Sequence, residues 1–257
     1  MGVVLACTWR PRGELPRVQR LRPQLERAYE HIVVALPPDA DLAAAEPLHA
    51  WPAVSIVVSP QPFWGRYLAI QVAIQAAAAR VSHVHYADLD MLLHWIEVRP
   101  EEWHRILERI QAAQCLVTGR TERAFRTRPQ AIQQTERLIN TVFSHVLGQP
   151  VDLGLGSRGF SRRAAEFVVA NSAPGGWGDA AWPVLLHRAG FAVEFLAVDG
   201  VDWETPDFYR EQVADGATRR RAAEAYDQRV DRWASRVRTA LEIVQEGLAA
   251  AERPLPP

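Results

Sequence analysis

The sequence predicts an α/β domain: a mainly parallel sheet with helices on both faces. Three observations predict it. Short apolar runs bounded by glycine, proline and polar turn residues alternate with longer stretches whose apolar residues recur every three or four positions. The opening succession is strand, helix, strand, the start of a parallel crossover unit. At 257 residues the chain is long enough for one large α/β core or two small domains.

Gly2 to Thr8 is an apolar run that reads as a buried strand, ended by the turn residues Trp9-Arg10-Pro11-Arg12-Gly13. Val18, Leu21, Leu25 and Ala28 then recur at helical spacing. His31 to Leu36 is a second strand, stopped by Pro37-Pro38. Residues 39–52 are an irregular connection, and Ala53 to Val58 is the third strand. A breaker-rich loop with the aromatic pair Phe63-Trp64 leads into an alanine-rich helix over residues 67–80, apolar on nearly every side and therefore buried. A strand ends in Asp88-Leu89-Asp90. Pro100-Glu101-Glu102 opens a helix whose apolar face is Trp103, Ile106, Leu107 and Ile110. Cys115 to Thr118 is a strand followed by a basic loop with Arg120, Arg123, Arg126 and Arg128. Ile132 to Val146 marks a helix. Gly154 to Arg162 reads as two turns around a short edge strand, or as a segment that glycine opens to a ligand. Asp179 precedes a helix that stops at Gly190, and Phe191 to Val198 is the last strand. One long helix is expected over residues 216–251, with Tyr226, Val230, Trp233, Val237, Leu241, Val244 and Leu248 as its stripe.

The division expected is therefore residues 1–215 as the main domain, 216–252 as a C-terminal helix packed on that domain or on a partner, and 253–257 as a disordered tail. A homodimer through the helix is one form of that partner. The net charge of -1 gives no polyanion-binding signal, and no zinc spacing or single-strand-binding signature accompanies the arginines, so no nucleic-acid partner is expected. Cys7 and Cys115 read as buried thiols of a reducing compartment. With neither a signal-peptide pattern nor an apolar stretch of bilayer length, a cytoplasmic protein is expected.

The chemistry centres on residues 83–100. An apolar approach runs into Asp88-Leu89-Asp90, and on a strand the two aspartates would share one side while Leu89 packs on the other. Two carboxylates so placed can hold one divalent cation through oxygen, and the cation can hold a diphosphate. Solvated turn aspartates are the plainer reading of the same three residues.

On these residues the chain resembles the GT-A-type glycosyltransferases, family-2-like, whose single nucleotide-sugar-binding domain carries a DxD motif. The resemblance runs by element order from Gly2 to about residue 211. It implies transfer of a sugar from a UDP- or GDP-sugar to an unidentified acceptor hydroxyl, with Mn²⁺ or Mg²⁺ at Asp88 and Asp90, Asp90 touching the ion directly. Thr8, Arg10 and Arg12 match the donor-binding loop by position, although the family's proline-x-asparagine signature is absent and the two arginines equally suit a solvated loop. Gly65 and Arg66 match the start of a helix beside the sugar diphosphate. Gly156 and Ser157 match a glycine-containing segment of the sugar pocket, which Trp177 and Trp182 would border. Asp179, followed by leucines and Arg188-Ala189-Gly190, matches the acidic position of the family's penultimate helix; Gly178 stands where a second acid is usual. Asp179 is then the base that deprotonates the acceptor in an inverting reaction, or simply a helix cap. A histidine that often serves as a further metal ligand is missing, which leaves an aspartate, Asp202 or Asp207, or water for that place. Two other readings stand: a nucleotidyltransferase of related fold, which would normally show a glycine-rich basic first loop, and a non-catalytic nucleotide-sugar-binding or assembly module.

Overall fold

The computed structural model describes residues 2–76, 81–204 and 213–255. Its strands are β1 (Gly2–Thr8), β2 (His31–Leu36), β3 (Val54–Val58), β4 (Val81–Asp88), β5 (Cys115–Arg120), β6 (Ser157–Ser161) and β7 (Val193–Val198). They form one seven-stranded sheet in the order β3-β2-β1-β4-β6-β5-β7. Only β6 runs antiparallel to its neighbours, so the sheet is mainly parallel, as expected. The segment around Gly159 is thus a central strand and not an edge strand.

Period-two alternation explains the two-layered core. On β1, Val3, Leu5 and Cys7 face one layer while Val4 and Ala6 face the other. The first layer is closed by α1 (Leu15–Ala28), α3 (Leu89–Val98) and α4 (Pro100–Ala112). The second is closed by α2 (Gly65–Ala76), α6 (Gln130–Leu147), α7 (Arg162–Asn171) and α8 (Ala181–Arg188). The short α5 (Glu122–Phe125) follows β5. Both central strands β1 and β4 are buried nearly throughout because helices cover both their faces, although β4 carries Ser82, His83 and His85 among its apolar residues.

The expected C-terminal helix is two helices, α9 (Gly216–Asp227) and α10 (Val230–Glu252). α10 packs on α6 and α8 of its own chain through Ala240, Ile243, Gly247 and Ala250. Val230, Val237, Leu241 and Leu248, part of the expected stripe, are exposed. Of the expected tail, the Arg253 carbonyl accepts from Arg188 Nη1 at 2.6 Å and Leu255 packs on the second layer. The expected helix positions 77–80, Asp207 and residues 256–257 lie outside the described residues. Among those described, no helix is long and apolar enough to cross a membrane.

Candidate functional site

β1 and β4 pair in parallel, with Thr8 opposite Asp88, so both strands deliver their last residue to one point. β4 ends at Asp88 and α3 begins at Leu89. Asp90 therefore lies in the first turn of a helix, and the strand period expected to align the two aspartates does not relate them. Both still line one cavity of about 590 Å³ beyond the carboxyl ends of the parallel strands, where ligands of such sheets bind. Its other walls include Thr8, Arg10, Arg12, Gly65, Arg66 and Trp177.

The Asp88 carboxylate is fixed from below. Thr8 Oγ1 donates to its Oδ1 at 2.9 Å, and Tyr86 Oη donates to the same oxygen. Its Oδ2 faces Arg66 Nη2 at 3.3 Å. Gly156 supplies the room: a Cβ there would lie 2.0 Å from Asp88 Oδ2. Gly156 thus acts on the carboxylate and does not line the cavity. Asp90 Oδ1 accepts from the Met91 amide at 2.8 Å. Burial, and then the charge of Asp88, push the Asp90 carboxyl up to about 6.

Arg66 stands in the first turn of α2, whose start is held close to β1 by Gly65; a Cβ there would be 3.3 Å from Thr8 Cγ2. Its guanidinium donates to Asp179 Oδ2 at 2.8 Å and to the Trp177 carbonyl at 2.9 Å. It lies 5.6 Å from the Tyr86 ring centroid and 5.8 Å from that of Trp177. Burial works against its charge, but the carboxylates of Asp179 and Asp88 more than offset that and hold it charged. Asp179 is buried, and its carboxyl is raised by burial against the opposing pull of Arg66 and Arg158. It caps no helix: the N-cap of α8 is Ala180, which makes no side-chain cap bond. It lines a smaller hollow of about 70 Å³ that shares Arg66 and Trp177 with the main cavity and is completed by Glu136 and Arg236.

Several expected residues lie elsewhere. Ser157 is fully buried, its Oγ 3.1 Å from His85 Nε2 and donating to Thr118 Oγ1 at 3.2 Å. It belongs to a buried polar chain that starts at Trp103 Nε1 and passes through Tyr29 Oη to His85, which burial holds neutral, and on to Thr118. Trp182 is a core side chain, edge-on to Tyr86 and Phe160 at 5.9 and 6.1 Å. Asp202 is not brought to Asp88 and Asp90; Arg123 Nη2 holds it at 2.6 Å and Arg219 Nη2 at 3.2 Å. Arg10 lines the mouth of the cavity but is paired with Asp39 at 2.8 Å. Arg12 reaches the wall with no ion pair among the described residues.

Two contributors were not singled out from sequence. Tyr86 lies two residues before Asp88 on the same strand face, and that spacing is the signal that would have found it. Phe63 lines the cavity with φ 66°, a strained value for a bulky residue. Its ring meets Trp177 at 4.9 Å.

The donor set suits a hard divalent cation. Such an ion takes oxygen ligands, and Mg²⁺ in particular is commonly bound through one or two carboxylates plus substrate phosphates and water. Among the described residues no group of three or more potential ligands gathers, so Asp88 and Asp90 would be the protein's share. Two adjacent carboxylates, one of them with its pKa raised by burial and further by the other's charge, are a place where a cation lowers the electrostatic energy.

No protein-family model and no curated protein sequence matches the chain. Solved structures do. Glucosyl-3-phosphoglycerate synthase from Mycobacterium tuberculosis, in complex with uridine diphosphate, is 12% identical over 98% of this chain and 81% of that one, at a TM-score of 0.60. Mannosyl-3-phosphoglycerate synthase from Rubrobacter xylanophilus is 17% identical over 100% and 79%, at a TM-score of 0.50. At such identities the likeness is one of fold, and the fold is that of the GT-A type.

Proposed function

We propose that this chain transfers a sugar from a nucleotide-diphosphate sugar to an acceptor hydroxyl, with Mn²⁺ or Mg²⁺ held at Asp88 and Asp90. The observation that carries the reading is the convergence of Asp88, Asp90 and Arg66 on one cavity at the carboxyl ends of β1 and β4. A volume of about 590 Å³ suits a ligand of nucleotide-sugar size. The UDP bound to the glucosyl-3-phosphoglycerate synthase of the same fold supports a uridine or related donor.

Negative charge grows on the leaving diphosphate as the glycosidic bond breaks, and a bound divalent ion supplies electrostatic stabilisation there. The chain's own residues do the rest. Thr8 and Tyr86 fix the orientation of the Asp88 carboxylate. Arg66, charged and beside the start of α2, binds a phosphate oxygen. Trp177 and Phe63, in ring contact, offer an aromatic wall of the cavity to the donor. Asp179 takes the acceptor's proton from the adjoining hollow, in the inverting course we favour. Its buried carboxyl has its pKa raised toward the working range of a general base.

The test is nucleotide binding and sugar-nucleotide hydrolysis with UDP- and GDP-sugars, each with Mn²⁺, with Mg²⁺ and with chelator. Cation-dependent binding and slow release of free sugar are expected. Binding without turnover under any acceptor would make the chain a binding module, and no cation-dependent binding at all would overturn the reading.

A further inference from the structure

Trp177 and Asp179 are carried by a connection that should be loose. Residues 172–180 join α7 to α8 and contain Gly175, Gly176 and Gly178. Glycine gives a chain more conformational freedom than any other residue. Yet Trp177 is held at its amide, its carbonyl, its indole nitrogen and its ring. The carbonyl belongs to Arg66 and the ring to Phe63. The amide and the indole nitrogen belong to α10.

Glu246 Oε2 accepts from the Trp177 amide at 2.8 Å, and its Oε1 accepts from the Gly178 amide at 3.2 Å. One carboxylate thus spans two successive backbone donors. Glu242, one helical turn earlier, accepts from Trp177 Nε1 at 3.0 Å. The surroundings are shaped for this contact. A Cβ on Gly176 would lie 2.1 Å from Glu246 Oε1, and one on Gly247 would lie 2.2 Å from Phe143 Cζ. Only glycine at 176 leaves the carboxylate its place, and only glycine at 247 lets α10 approach α6 this closely. Gly178 has φ +71°, the turn that aims its amide at Glu246 and sends Asp179 back to Arg66. Along α10 the neighbours of Glu246 on the packed side are the small or apolar Ile243, Gly247 and Ala250. Burial raises the Glu246 carboxyl, and its two amide bonds oppose that rise.

We propose that Glu246 is a positioning residue: it latches Trp177 and Gly178 to α10 and thereby sets Arg66 and Asp179 for donor and acceptor. This rests on the proposed sugar-transfer reading for its functional half. The C-terminal helix is then a working part of the site, although Glu246 lies 69 residues beyond Trp177 in sequence.

The experiment compares wild type, Glu246→Ala, Glu246→Gln and Glu242→Ala in the full chain. Hydrogen exchange is read at the amides of Trp177 and Gly178, UDP and GDP affinity in Mn²⁺, and kcat and KM for sugar-nucleotide hydrolysis. Glu246→Ala should speed exchange at the two amides about tenfold or more, the scale of one lost charge-assisted hydrogen bond. It should lower kcat by a similar factor and raise KM less, with the core amides of β1 and β4 unchanged. Glu246→Gln keeps the volume and one acceptor oxygen. It guards against collapse of the packing and should restore part of both effects. Glu242→Ala should be milder. Unchanged exchange at Trp177 and Gly178 overturns the latch. Faster exchange with unaltered kcat and affinity overturns the positioning role and leaves a loop staple. If the wild type binds no nucleotide, the sugar-transfer reading falls separately. The crystal structure of Glu246→Ala then decides: Arg66 displaced from the Trp177 carbonyl supports positioning, and Arg66 unmoved overturns it.

Discussion

Arg66 and Arg120 stand on the same side of one sheet's ends and are each flanked by two carboxylates, yet they are built for different ends. Arg120 closes β5. Its side chain is wholly buried, with Nε and Nη2 on Asp152 at 2.6 and 2.5 Å and Nη2 on Glu136 at 2.7 Å. Arg236 closes the cluster from α10 by binding Glu136 at 3.1 Å. Arg66 binds Asp179 closely, at 2.8 Å, but reaches Asp88 only at 3.3 Å, and its side chain remains one-fifth exposed where it lines the main cavity. The first cluster pairs its charges with one another and ties β5, α6, α10 and the segment before β6 together. The second is left with an opening on the side where a ligand would complete it. Charged residues near a fold's functional end are therefore sorted by whether their partners leave them an open face.

The largest effect expected is on turnover. Asp179→Asn should cut it roughly 10²- to 10⁴-fold, the range for a lost general base, with donor affinity hardly moved. Turnover and thermal stability of that one variant check it, and retained turnover would move the base elsewhere.

Breaking the closed cluster should appear as stability instead. Arg120→Met strands Asp152 and Glu136 in the interior and should cost about 3–5 kcal/mol by denaturant titration, with nucleotide affinity unaffected. A pH dependence sharpens the point. Burial opposes ionisation of Asp152, but the charge and bonds of Arg120 outweigh it and hold the carboxyl below its usual range. A depressed carboxyl contributes stability that is present above its unfolded pKa of about 3.9 and is lost as pH falls toward its lower folded value. Wild type should therefore lose stability more steeply below about pH 4 than Arg120→Met does. Parallel curves would deny the pair this role.

Within the open cluster, Asp88→Asn and Asp90→Asn should each weaken Mn²⁺-dependent nucleotide binding about ten- to a hundredfold, the worth of one charge-assisted contact. Calorimetry of UDP and GDP with and without Mn²⁺ reads this, and unchanged affinity in both variants would remove the cation site. Arg66→Met should weaken the same binding about tenfold. Its effect on stability should fall well short of that of Arg120→Met, since solvent already reaches the side chain. If the two variants unfold alike, the contrast between open and closed clusters fails.

The smallest effect belongs to the basic loop. Arg123 is half-exposed and pairs with Asp199 and Asp202 at 2.6 Å each, so Arg123→Ala should change stability by no more than about 1 kcal/mol. A marked loss of nucleotide binding in that variant would return Asp202 to the site.

The sequence by itself determined the alternation of strands and helices, the two apolar layers, and the place of Asp88 at a strand end. Side-chain periods of two and of about three and a half are local properties, written in neighbouring residues. It also brought out Thr8, Arg12, Gly65 and Arg66 around one cavity, because parallel strands deliver their following loops to the same end. What only the tertiary structure decided are relations between distant residues. Asp90 left the strand for a helix because α3 starts one residue after Asp88. Trp182 and Ser157 went to the interior, where Trp182 meets Tyr86 and Phe160 and Ser157 meets His85. Asp202 went to Arg123 and Arg219. Arg66 met Asp179 across 113 residues, and Glu246 met Trp177 across 69. No local pattern encodes such meetings, because a carboxylate on an exposed-looking helix face reads the same whether it faces water or two backbone amides, and only the packing of α10 beside the loop distinguishes them.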